Sequence, residues 1–315
     1  MNRYYKYRSE STLERDIQGL EECYFYAPTA DQLNDPTEGV INDQLVLGLV
    51  GLLGQPVEDS LSNLLKLRHS VGIFSLSKNI QDEVMWAHYG ESHLGYCIEY
   101  DVRRLMLEPR TQWSLLPIKY SGYPPEFRLQ DLLGPNGESI EQMLIGYKSE
   151  RWNYEEEVRI VTARSGKNHY AQAAVTGIYF GCRCNKKLEE KVRNSLSGRG
   201  VKYYKMNYPN STYKLQFHEL PYDRVLDGEP TINLAPISEQ AISTERELGE
   251  YAYLHPKLIK AVERVRKDPS CIQIEFASVS KIPPNEGMLF VQFQTAVKTD
   301  LYDRVNWYFN PEEIQ

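Results

Sequence analysis

The stretch Trp152-Asn153-Tyr154-Glu155-Glu156-Glu157-Val158-Arg159-Ile160 sets two carboxylates and a guanidinium at alternate positions just ahead of an apolar run. On a β-strand, side chains alternate, so Glu155, Glu157 and Arg159 would share one face, with the two acidic residues about 7 Å apart. A core strand face carrying such charges is costly unless they are solvated, paired or used. The bland alternative is an exposed, ion-paired edge, but this is the first place to look for chemistry.

Three further clusters stand out. In Tyr5-Lys6-Tyr7-Arg8, Arg8 could hold a phosphate or carboxylate bidentately and Tyr7 could stack on a ring; a surface edge strand is the competing reading. Asn34-Asp35-Pro36-Thr37-Glu38 reads first as a stiff turn. Phe74-Ser75-Leu76-Ser77 puts two hydroxyls on one strand face, and Met85-Trp86-Ala87-His88-Tyr89-Gly90 with His93 follows. Together these could wall a pocket, with Trp86 as a core anchor and the role of His88 open. Neither glycine-rich phosphate loop occurs, and HExxH and GxSxG are absent, which argues against classical kinases, Rossmann dehydrogenases, zincins and α/β-hydrolases. Cys182-Arg183-Cys184 has no second cysteine pair nearby, so no metal site is expected.

The elements that must position these residues alternate irregularly. Strands are expected at Tyr4–Tyr7, Cys23–Ala27, Val71–Ser77, Gly95–Tyr100, Leu116–Tyr120, the Glu157 segment, Val175–Phe180, Val201–Met206 and Tyr213–His218. A capping box, Ser11-Thr12-Leu13-Glu14, starts a helix that Gly19 ends. Leucine spacing predicts helix over 40–70, a helical turn covers Asp82–Tyr89, and Gly134-Pro135 makes a turn before a helix toward Lys148. Asn185 caps a helix to about Ser195. This is an α+β pattern without regular βαβ alternation. Composition shifts after Tyr222: 223–238 reads as a linker, Ser243–Lys267 as a helix, and Cys271–Ser280 with Met288–Val297 as a hairpin. The expected organisation is a core over 1–222 and an accessory region over 223–315.

With 315 residues, 41% hydrophobic and 25% charged, the chain is a globular protein of one large or two ordinary domains. A net charge of -7 argues against a general phosphate-backbone binder, a local basic groove aside. The N-terminus lacks the apolar core of a signal peptide, and the longest apolar patch, Leu45–Leu53, falls short of the roughly 20 residues a membrane span needs. Five unevenly spread cysteines read as reduced thiols. A cytoplasmic protein without a membrane partner is expected.

Taken in order over residues 4 to 220, several motifs resemble the bacterial domain-of-unknown-function family numbered 2971 (DUF2971). They are Tyr5-Lys6-Tyr7-Arg8, Leu13-Glu14, Asn34-Asp35-Pro36, Phe74-Ser75-Leu76-Ser77, Met85-Trp86-Ala87-His88-Tyr89, His93-Leu94-Gly95-Tyr96-Cys97-Ile98-Glu99, the Trp152–Ile160 stretch and Ile178-Tyr179-Phe180-Gly181-Cys182. That family carries no settled biochemical role.

More remotely, an Arg on the first strand, Ser-x-Ser on a middle strand and Glu-x-Glu on a later one are similar to the arginine–serine–glutamate class of ADP-ribosyltransferases. This likeness implies a split mixed or antiparallel sheet core with helices, and NAD as substrate. Glu157 would stabilise the oxocarbenium-like state as nicotinamide leaves, and Glu155 would orient or deprotonate the acceptor. Arg8 would grip the phosphates, Ser75 or Ser77 would hold the ribose or support Glu157, and Tyr89 or Tyr7 would stack on nicotinamide. His88 would contact a ribose hydroxyl, and Arg159 belongs to the same binding set. The Trp-Ala-His-Tyr cluster is not part of that class's pattern.

The expected function is therefore an ADP-ribosyltransferase or NAD glycohydrolase, acting as a toxin or antiviral effector on a macromolecular acceptor. The alternatives are a non-catalytic nucleotide- or nucleic-acid-binding module and a divalent-metal nuclease using Glu155, Glu157 and Glu99.

Overall fold

Runs rich in Tyr, Phe, Ile and Val, cut by Gly, Pro and Asn, form strands close to where the period-two reading places them. The computed structural model describes residues 3–40, 70–106, 113–126, 140–229, 234–268, 271–295 and 304–314. The helix expected over 40–70 falls outside these except for its two end residues, and the Gly134-Pro135 turn lies outside them altogether.

In chain order the strands are β1 (Arg3–Arg8), β2 (Tyr24–Ala27), β3 (Gly72–Ser77), β4 (Tyr96–Asp101), β5 (Ser114–Pro117), β6 (Lys119–Ser121), β7 (Tyr147–Ser149) and β8 (Glu157–Thr162). They continue with β9 (Gly166–His169), β10 (Val175–Phe180), β11 (Lys202–Asn207), β12 (Gln216–Glu219), β13 (Cys271–Val279), β14 (Leu289–Thr295) and β15 (Arg304–Phe309). Eight form one sheet in the order β12-β11-β10-β4-β1-β3-β8-β5. Neighbours in it are antiparallel, except that β10 and β11 run parallel. The fold is α+β with a mixed, mainly antiparallel sheet. β2 leaves this sheet and pairs with β9.

The middle of the sheet opens. β1 pairs with β4 from Arg3↔Asp101 to Arg8↔Tyr96, and β3 pairs with β8 from Gly72↔Thr162 to Ser77↔Glu157. Between β1 and β3 there is a single register pair, Tyr5↔Ser77. Beyond it the two strands part.

One face of the sheet packs under two helices. The helix Lys186–Ser195 starts at Asn185, whose side chain accepts from Leu188 N at 2.9 Å, as its sequence predicts. It buries Leu188 and Val192 on the core that holds Phe74, Ile98 and Phe180. The helix Leu13–Glu21 departs from its expected start: a 3-10 turn over Glu10–Thr12 precedes it, and the Thr12 side chain does not cap it. The Ser11 amide instead donates to Glu91 at 2.9 Å, so no capping box forms. Gly19 lies inside this helix, which runs on to Glu21, rather than ending it; a Cβ there would meet the Tyr24 carbonyl at 3.1 Å, so its smallness serves packing. The opposite face carries Tyr7, Cys97 and Tyr179 beneath Trp86, which is fully buried and donates its indole N–H to Ile80 O at 2.8 Å. Trp86 is thus the core anchor its size suggests.

Residues 235 to 314 share a second hydrophobic cluster. The expected 243–267 helix comes as two, Glu245–Leu248 and His255–Arg266, because Gly249 (φ 62) turns the chain between them. The second buries Leu258, Ala261, Val262 and Val265 at helical spacing. The hairpin gains a third strand: β15 pairs with β14 from Leu289↔Phe309 to Gln294↔Arg304. Arg104 ties this part to the main sheet through Asp268 at 2.8 Å, and Arg103 stacks over Trp307 at 4.5 Å. No described helix is long and apolar enough to cross a membrane.

Candidate functional site

The gap between β1 and β3 is the floor of a cleft of about 220 Å³, bordered among others by Tyr7, Arg8, Ser75, Ser77, Tyr89, Glu155 and Glu157. Residues far apart in the chain therefore meet because β1, β3 and β8 are consecutive in the sheet. Registers Tyr5↔Ser77, Ser77↔Glu157 and Ser75↔Arg159 place Tyr5, Tyr7, Ser75, Ser77, Glu157 and Arg159 on one face, whereas Lys6 and Arg8 belong to the other and border the cleft through the gap.

The two glutamates arrive by different routes. Glu157 opens β8, but Glu155 ends a 3-10 turn over Glu150–Glu155, and Glu156 between them is left-handed (φ 42, ψ 47). Glu155, Glu157 and Arg159 are therefore not three alternate residues of one strand. A non-glycine residue in that region is strained by about 1–2 kcal/mol. Here Lys78 N donates to the Glu156 carbonyl at 3.1 Å and Asn79 Nδ2 to its carboxylate at 2.9 Å, which fixes the kink.

Lys148 reunites the acids, donating to Glu155 at 2.5 Å and Glu157 at 3.2 Å. Arg159, with no exposed surface, donates through Nε to Glu157 at 2.8 Å, through Nη1 to the Ile145 carbonyl at 2.7 Å, and through Nη2 to Glu38. Three buried carboxylates thus share two cations. Tyr120 accepts from the Glu157 amide at 2.7 Å and so holds the start of β8.

This network drives the acids apart. Burial raises the pKa of Glu157, but Arg159, Lys148 and a hydrogen bond from Ser75 outweigh it and hold the carboxyl well below its usual range. In Glu155 burial wins over Lys148 and the Tyr89 hydroxyl, which donates at 2.6 Å, and the pKa rises. Glu38 rises as well, its burial exceeding the pull of Arg159. The cleft therefore sets a carboxylate held in its ionised form beside one whose pKa is raised by burial.

The remaining sequence-derived residues are placed as follows. Arg8 borders the cleft with a buried Nε that has no partner among the described residues, and its described ion pair, with Asp16, is long at 3.7 Å. Tyr7 is edge-on to Trp86 and donates to the Asn79 carbonyl at 2.7 Å. Ser77 is engaged with the backbone of Asn79, which leaves Ser75 as the serine on Glu157. Arg159 lies behind the cleft wall and does not border it. His88 is exposed near Tyr89 and Tyr154 and is not part of the lining. Glu99 is also elsewhere, taken up by Thr176, Tyr179 and Arg3. No group of three or more His, Cys, Asp or Glu among the described residues is arranged to hold a metal ion.

Sequence reasoning missed Lys6, Glu38 and Lys148. Glu38 sits in a segment that reads as a turn, and Lys148 follows an unremarkable helix; only the tertiary fold brings them to Glu157. Lys6 lies in the Tyr5-Lys6-Tyr7-Arg8 motif, but a lysine between two tyrosines does not announce that it borders a cleft.

Residues 85–160 match the model of a family described as a protein of unknown function, DUF2971. The matched stretch includes Tyr89, Lys148, Glu155, Glu157 and Arg159, and so most of the charged network. No curated protein and no solved structure matches the chain.

Proposed function

We propose that the chain binds NAD in the β1/β3 cleft and breaks its nicotinamide–ribose bond, passing ADP-ribose to water or to a macromolecular acceptor. The observation that carries this reading is the meeting of Arg8, Ser75 and Glu157, from three consecutive strands of the sheet, around one cavity. The chemistry suits the pKa pattern. Nicotinamide leaves NAD as a neutral molecule, because its ring nitrogen starts out cationic, so departure needs no acid. It needs a fixed negative charge near the ribose carbon as positive charge develops there. Glu157, held ionised and hydrogen-bonded by Ser75, meets that need.

Glu155, with its raised pKa, is the better proton acceptor for the incoming nucleophile. Arg8 brings an unpartnered donor to the ligand phosphates. A larger cavity of about 740 Å³ shares Lys6, Arg8, Gln32, Leu33 and Ser75 with the cleft, which gives a dinucleotide room. Such an activity would suit a toxin or antiviral effector.

A second reading is a module that binds a nucleotide without cleaving it. What favours it is that both Glu157 oxygens already accept from cations. Nicotinamide release from NAD by the wild type and Glu157→Gln, with and without cell extract, tests the two. Release by the wild type and not by the variant supports cleavage, whereas NAD binding without release moves the second reading ahead. His88→Ala is expected to leave NAD affinity within about twofold and stability within about 0.5 kcal/mol, since His88 is exposed and off the cleft. A tenfold loss of affinity by titration calorimetry would bring His88 back into the site.

A further inference from the structure

Lys6 stands where β1 and β3 part. Its ammonium lies 5.1 Å from the Phe74 ring centroid and donates to the Ser75 carbonyl at 2.8 Å. No ion pair joins it to a carboxylate among the described residues, and Arg8 is two positions along the same strand. Lys6 is half-buried, and an ammonium drawn out of bulk water ordinarily recruits an acid; this one keeps a carbonyl and a cation for company. It borders both the 220 Å³ cleft and the 740 Å³ cavity. The larger space is walled by Tyr24, Phe25 and Phe74 and also carries Arg8 and Arg15, which flank the Asp16 carboxylate at 3.7 and 3.5 Å, two cations to one acid.

We propose that Lys6 is a nucleophile that captures an aldehyde or ketone bearing an anionic group, with the carbonyl carbon in the gap and the anion on Arg8 and Arg15. Desolvation and a neighbouring cation are the two conditions that free a lysine amine for such chemistry. Both hold here: burial and then Arg8 push Lys6 down to about 7, against the weaker upward pull of Glu157, Asp16 and Glu155. The Nζ lone pair attacks the carbonyl carbon to give a carbinolamine. The C–O bond then breaks, the oxygen leaves as water with the two amine hydrogens, and a C=N bond remains. Nothing is oxidised or reduced. The step uses neither NAD nor Glu157, so it stands or falls apart from the proposed cleavage.

The test treats the full chain at pH 7.5 with pyridoxal 5′-phosphate, reduces the product with borohydride and maps the labelled lysines by mass spectrometry. An ordinary lysine is only about one part in a thousand free base at that pH. Lys6 is therefore expected to label at least about tenfold faster than the median lysine, and faster with the phosphate than with pyridoxal itself. Lys6→Arg should lose the fast-labelling site while the other lysines keep their rates. Labelling of Lys6 no faster than the surface lysines would overturn the proposal, and equal rates with pyridoxal would overturn its anionic part. The mapping is made on the wild type, so a variant that fails to fold does not blunt it.

Discussion

Arg159→Leu is expected to lower the stability of the chain by about 3–5 kcal/mol, read as a drop in the urea midpoint, because it strips the partner from a buried charge network. Arg159 has no exposed surface and gives hydrogen bonds to Glu157, Glu38 and the Ile145 carbonyl. Leucine fills part of the volume but leaves two carboxylates to Lys148, which already serves Glu155. The pH dependence of the Glu157 contribution should also change sign. In the wild type the Glu157 pKa is depressed, so its contribution is complete above the unfolded value of about 4.3 and is lost as pH falls through the folded value. Without Arg159, burial dominates at Glu38 and Glu157, their folded pKa values lie above the unfolded one, and stability is lost as pH rises. The variant's deficit should therefore be smaller at pH 5 than at pH 8. A loss under about 1 kcal/mol, equal at both pH values, would mean that the network is hydrated and contributes little.

How far the sequence discloses this site depends on whether a feature is local. The strands Gly72–Ser77 and Val175–Phe180 follow from β-branched and aromatic runs between breakers, and the Asn185 cap from one side chain and the amide three residues on. The alternation Val305, Trp307, Phe309 that makes β15 is just as local, yet the charges of Lys298, Asp300 and Asp303 before it mask the strand. Glu156 is harder. Its left-handed backbone has no glycine or asparagine to announce it, so Glu155 reads as a strand residue when it ends a 3-10 turn.

Non-local features were not legible. The opening of the sheet rests on β1 and β3 sharing one register pair, and nothing in Tyr5-Lys6-Tyr7-Arg8 specifies where that pairing stops. The helix Glu83–His88 turns Met85 and Tyr89 toward the cleft and leaves His88 outside, a choice made by the packing of Trp86.

Glu157→Gln should reduce nicotinamide release by about 10²-fold or more while NAD affinity changes only a few-fold, if the carboxylate acts on the charge that develops in the transition state. The substitution keeps the shape and removes the charge. It also sets an amide, itself a donor, against Arg159 and Lys148, so some stability must be lost. The residual pairs Arg159–Glu38 and Lys148–Glu155 remain to hold both cations in place. Rates therefore have to be compared well below the variant's own melting temperature, with calorimetric NAD binding as proof that the cleft is formed. Release and affinity falling together would assign Glu157 to ground-state binding. Release unchanged, with stability alone reduced, would make it a structural anchor for β8 and leave the nucleotide-binding module as the better account of the cleft. Arg159→Leu separates these cases when release is followed up to pH 8, because Arg159 does not border the cavity but its loss raises the pKa of Glu157. If its folded fraction keeps substantial nicotinamide release while Glu157→Gln has lost it, the catalytic effect belongs to the carboxylate in the cleft and not to the integrity of the network behind it.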